Sequence, residues 1–340
     1  MERAFRVALL PLILAAGAAP ALAQPAPSTG PSTELRTGSG QAYPVKPIRL
    51  IVPLAPGGPS DILARAMAQS LTESLKQSVV VDNRTGAGGT IGTDLAAKSP
   101  PDGYTLLLIA VNNYTINANL YAKLPYDPLK DLTPVTILAG APYILVVHPS
   151  LPVRSVKQLI ALDKARPGEL NYSSGGAGTG PHLATEVLKA STGMTAVHIA
   201  YKGAGPALTD LVAGQVQFQL ANMIASLPLV NSGRLRAIAV SGAKRSRTLP
   251  DVPTLGESGI PGFEEVGGHM IMIPGRAPRE IVARLHQELV KVLQQPAVKA
   301  RLESEGAEVF GTPPDQAAAI IRAEIGKWGP VISRLGLKGN

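Results

Sequence analysis

The chain has 340 residues, 45% of them hydrophobic and 16% charged, enough to bury one large core or two smaller ones. Its formal charge of +8 is dispersed, without Lys/Arg runs interleaved with aromatic residues, which argues against a nucleic-acid partner and leaves a field that favours small anions. With no cysteine there is neither a disulfide framework nor a lipid-bearing cysteine, and 35 glycines with 31 prolines point to tight turns between short α and β elements.

The chain opens with Arg3 and Arg6 ahead of an apolar run from Val7 to about Ala19, then Ala21-Leu22-Ala23. This is the pattern of a signal peptide over 1–23, cleaved after Ala23, and it predicts export to the periplasm with the formal charge falling to +7. Residues 24–42, QPAPSTGPSTELRTGSGQA, offer little to bury and are expected to form a disordered leader. Past the N-terminus, no apolar stretch approaches the ~20 residues of a membrane-spanning helix.

From Pro47 the pattern alternates. Apolar runs at 48–52, 79–82, 104–110 and 133–139 read as strands, with helical segments between the first three. After the turn Ala55-Pro56-Gly57-Gly58, Leu63, Met67, Leu71 and Leu75 recur every four residues, with Ser60 or Asp61 placed to cap that helix. A second series follows: strands at 143–148, 170–174, 196–201, 215–221 and 235–241, with helices near 155–165, 181–191 and 204–213. A Pro/Gly-rich stretch, a short run at 270–273 and a helical tail complete the chain. Ile321, Ile325, Trp328, Ile332 and Leu335 give that tail one apolar face, and Trp328 reads as core. The fold class is therefore α/β with two lobes, 43–142 joined by the returning 266–340, and 143–265. Clefts beyond the carboxyl ends of parallel strands are where such folds bind small molecules.

Catalytic and cofactor signatures fail on inspection. A phosphate loop needs Lys after its second glycine, and Pro59 and Ser60 stand there; GAGGTIG at 86–92 has Ile91 at the third glycine position of a dinucleotide fingerprint. Ser173 or Ser174 with His182 lacks both the G-x-S-x-G elbow and an orienting carboxylate. The five histidines (148, 182, 198, 269 and 286) contain no i, i+4 pair, and His198 and His286 read as structural. No enzyme, metal or cofactor is expected. Two glycine-rich turns remain, each joining a strand to a helix start, where unpaired amides and the helix dipole favour an anion such as a carboxylate. Tight βα connections alone would also explain them.

The segments YPVKPIRLIVPLAPGGPSDILAR, VVVDNRTGAGGTIG, LNYSSGGAGTGPHLATE, VHIAYKGAGPALTDLVAGQVQ, LPDVPTLGESGIPG and IRAEIGKWG fall in one order from Tyr43 to Leu337. Together the chain resembles the Bug-type periplasmic solute-binding proteins of tripartite tricarboxylate transporters. That resemblance implies a two-lobed type II "Venus flytrap" fold, a small carboxylate ligand in the interlobe cleft and membrane permease subunits as partners, in a monomer. A ligand-sensing protein that signals to a membrane receptor is the alternative. By position it implies a first binding loop of Ala55, Pro56, Gly57, Gly58 and Ser60. A second would be Ser173, Ser174, Gly175, Gly176, Ala177, Gly178 and Thr179, with His182 just inside the following helix. Gly86, Ala87, Gly88 and Gly89 would form a further wall. Tyr201, Lys202 and Gly203 would line the second lobe, Lys202 being equally readable as a solvated charge. Leu54, Thr85, Ala221 and Gly268 depart from the usual Phe, Pro, acidic and aromatic residues, with His269 the nearest ring at the last. With Ala221 uncharged, Asn222 is left to offer a neutral hydrogen bond, which weakens the case for an amino-acid ligand.

Overall fold

The computed structural model describes residues 43–261 and 263–339; the expected signal peptide and leader lie outside the described residues. The chain starts β1 (Ile48–Val52), α1 (Pro59–Leu75), β2 (Val79–Asn83), α2 (Thr90–Ala97), β3 (Thr105–Ala110) and α3 (Val111–Leu120). β2 and β3 flank β1 in parallel register, so Ile48, Leu50, Ile51 and Val52 are shut off from solvent on both faces, as parallel strands are. The α1 stripe holds: Leu63, Met67 and Leu71 are fully buried, each contributing about 1.5–3 kcal/mol by burial. Its start differs from the expectation. Pro59 occupies the first turn and Gly58 is the N-cap without a side-chain cap, while Asp61 accepts a hydrogen bond from Gly57 N–H at 3.0 Å.

β4 (Leu132–Val147) is one strand of 16 residues where the sequence suggests two, at 133–139 and 143–148. Gly140 and Pro142 mimic a turn, yet Pro142 stands where β4 changes partner and loses little by lacking an N–H. Up to Pro142, β4 pairs antiparallel with β9 (Val266–Pro274); from Tyr143 it pairs with β7 (Phe218–Asn222), and from Ile144 also with β8 (Arg236–Val240). Between these lie α4 (Val156–Ala165), β5 (Asn171–Ser174), α5 (Gly180–Thr192), β6 (Val197–Ala200), α6 (Ala204–Val212) and α7 (Met223–Asn231). The sheet order is β2-β1-β3-β9-β4-β7-β5-β6, so β4 and β9 occupy the middle.

The tail forms α8 (Arg279–Leu293), α9 (Pro296–Ser304), the short β10 (Glu308–Val309) beside β4, and α10 (Pro314–Leu335). Trp328 is core, as read: it packs with Ile116 and Leu120 of α3, Leu183 of α5 and Ile332. α10 thereby touches both halves of the sheet. Near the changeover, Glu265 is wholly buried, its carboxylate 2.9 Å from Lys327 Nζ and accepting from Asn112 Nδ2 at 3.1 Å.

Candidate functional site

Five helices begin at one cavity. At the carboxyl end of β1, α1 brings Gly58, Pro59, Ser60 and Asp61; after β3, α3 brings Ala110 and Asn113. After β5, the N-cap Thr179 and Pro181 of α5 enter; after β6, Ala204 opens α6; after β7, Asn222 caps α7 by accepting from Ile224 N–H at 3.0 Å. Leu54, Ala55, Tyr143, Gly175, Gly267 and His269 complete the lining. Each helix start carries amides without an intrahelical carbonyl and the positive end of a dipole. The charged member of the lining, Asp61, is already engaged by Arg65 Nε at 3.0 Å and by Gly57 N–H. Although burial alone would raise it, these bonds hold its carboxyl below the usual range.

The cleft is closed over this cavity. Ala55 N–H donates to Lys202 O at 3.1 Å, and Gly180 N–H donates to Asn113 Oδ1 at 3.1 Å. Gly205 lies so close that a Cβ there would sit 2.5 Å from Pro56 O, and Gly88 presses equally closely on Ala177 O. Only glycine allows that approach.

Of the residues implied by sequence, Ala55, Gly58, Ser60, Gly175, Thr179 and Asn222 face the cavity. Pro56, Gly57, Gly88, Ala177 and the Lys202 carbonyl form the seam instead; the Lys202 side chain is exposed. Gly86, Ala87 and Gly89 belong to a 3-10 turn and its N-cap, outside the lining. The Tyr201 hydroxyl donates to Asp210 Oδ2 at 2.6 Å.

In the second turn, most polar side chains look inward. The Ser173 hydroxyl donates to Gln219 Oε1 at 3.2 Å; Ser174 Oγ accepts from Gly176 N–H at 3.1 Å and sits 2.7 Å from His198 Nε2. His182 Nδ1 accepts from Gly178 N–H at 3.4 Å, and its ring stacks on His198 at 4.1 Å, which stacks on Tyr172 at 4.8 Å. Burial, then repulsion from Lys189 and from any proton on His182, pushes His198 down to about 3, and burial lowers His182 as well, so both rings are neutral at pH 7. These residues shape the turn from behind.

Sequence reading missed Asn113, Tyr143 and Ala204 as lining residues, and named His269 only as the ring nearest the departure at Gly268. One usable signal was available: each follows a strand end or lies in the β4/β9 pair that joins the halves.

The architecture is that of a periplasmic binding protein, with a mixed sheet and a cleft at helix starts. The model of the tripartite tricarboxylate transporter family receptor matches residues 63–337, and the chain belongs to that family of periplasmic solute-binding proteins. It is 41% identical over 301 residues to protein BugT of Bordetella pertussis, covering 88% of this chain and 92% of BugT. Among solved structures it is 38% identical to Rpa4515 of R. palustris with adipate, with a TM-score of 0.84 over 87% of this chain and 99% of that one. It is 30% identical to MatC of Rhodopseudomonas palustris with bound malate, with a TM-score of 0.82 over 85% and 100%.

Proposed function

We propose that this protein captures a small carboxylate in the cleft and delivers it to the membrane permease subunits of a tripartite tricarboxylate-type transporter. The convergence of five helix starts on one cavity whose lining includes no Lys or Arg carries this reading: the positive potential comes from backbone amides and dipoles. Adipate and malate in two relatives support the carboxylate class. Backbone contacts would come from the turns at 55–60 and 173–179, one on each lobe, with Asn222 adding a side-chain bond. The lobes are 43–142 with 266–340, and 143–265; the partner change at Pro142/Tyr143 and the start of β9 at Val266 support a hinge there.

Closure around ligand distinguishes the form presented to the membrane. The protein acts as a monomer in the periplasm after removal of residues 1–23, without catalysis. Thermal unfolding against acids and their amides tests the cleft reading: adipate or malate raises the melting temperature and the corresponding diamide does not. Equal shifts by acid and diamide would refute it. Ligand-dependent co-purification with a permease, rather than with a sensor domain, tests the transport role.

A further inference from the structure

His269 lies on β9 between Ala110 of β3 and Ala139 of β4, fully buried, and lines the cleft cavity. Neither Nδ1 nor Nε2 has a hydrogen-bond partner, whereas buried polar atoms are normally paired. Burial pushes the imidazole down to about 4, so at neutral pH it offers one N–H donor and one lone pair. In the same cavity the Asn113 amide nitrogen is also unpartnered, its oxygen being taken by Gly180 N–H. Asn113 therefore asks for an acceptor; His269 asks for an acceptor and a donor.

These needs select among ligand groups. A carboxylate only accepts, so it suits Asn113 and the helix starts but leaves the imidazole lone pair unpaired, at a cost. An ammonium would donate, but Asp61 is already paired with Arg65 and the surrounding helix starts repel a cation. A hydroxyl donates, accepts and carries no charge.

We propose that His269 is the specificity-determining residue of the cleft, and that the ligand is a carboxylate bearing a hydroxyl group. The hydroxyl meets the imidazole while the carboxylate is held by the helix starts and Asn113. This inference rests on the cleft being the carboxylate site.

Calorimetric titration with matched pairs that differ by one hydroxyl tests it: malate against succinate, citrate against tricarballylate, 2-hydroxyadipate against adipate, lactate against propionate. In the pair that binds best, the hydroxy acid should bind at least about tenfold more tightly. His269→Phe, which keeps an aromatic ring without nitrogens, should bring that ratio to within about threefold of unity. His269→Asn, which restores a donor and an acceptor, should retain part of the preference. Melting of each free variant checks folding, and His269→Leu replaces the Phe variant should that one not fold. Binding without preference in the wild type, or a preference that survives loss of the ring nitrogens, overturns the inference alone. Failure of every acid to bind overturns the cleft reading with it.

Discussion

The two glycine-rich turns do the same topological job by different means. The turn before α1 exposes Ala55, Gly58 and Ser60 to the cavity, and its one internal brace is Asp61 reaching back to Gly57 N–H. The turn before α5 exposes Gly175 and Thr179, while Ser173, Ser174 and His182 are spent on bracing it against His198 and Gln219. In a binding loop, polar residues are as often scaffold as contact. The first turn is braced by the Asp61 carboxylate and by Asn83 Nδ2, which donates to Leu54 O at 3.0 Å, and the second by a stack of neutral rings, which gives the two different weak points.

The largest expected effect strikes the seam where the first turn meets α6. Gly205→Val places side-chain atoms against Pro56 O and should weaken acid binding on the order of a hundredfold by blocking closure. Calorimetry should show that loss while the melting temperature of the free protein moves only a few degrees. Asp61→Ala removes the internal brace of the first turn and should lower stability by about 2 kcal/mol, read from denaturant midpoints.

Acid should separate the turns. His198 and His182 are held below their unfolded pKa, so the unfolded chain takes up protons first and stability falls as pH drops below about 6.5. Allowing for partial solvent access, the loss at pH 5 is about 1 kcal/mol, and His198→Phe, which preserves stacking, should flatten the slope. Asp61 acts in the same direction at lower pH: its depressed carboxyl stabilises above about pH 4, and that contribution disappears only on further acidification. Melting curves from pH 7 to 3.5 should therefore show two successive losses. The smallest effect belongs to Lys202→Ala. Its side chain is exposed and its carbonyl makes the contact with Ala55, so acid affinity should stay within about twofold.

Much of this was legible because it is periodic. The α1 stripe, the βα alternation and the apolar face of α10 follow directly from spacing, and Trp328 sits where that face requires. α3 escaped because VNNYTINANL has no apolar stripe: Asn112, Asn113 and Asn117 are weak helix formers, tolerated in the interior by bonds to Glu265, Gly180 and Gly88. α7 escaped for the reverse reason, being apolar nearly all round with Pro228 inside. Within the site, strand-to-helix turns marked the backbone contacts. They could not show which side chain of Ser173, Ser174 and His182 turns inward, nor that His269 reaches the cavity, since that depends on β9 pairing with β3 across 159 residues of sequence, as Ala110↔His269 shows.

The most direct test of the carboxylate cradle is a crystal structure with the best-binding acid of the panel. The account predicts carboxylate oxygens within about 3 Å of the Ser60 amide on one side and of an amide in the 175–179 turn on the other, with no Lys or Arg side chain in contact. An acid bound elsewhere, or held in the cleft by a basic side chain, would contradict it.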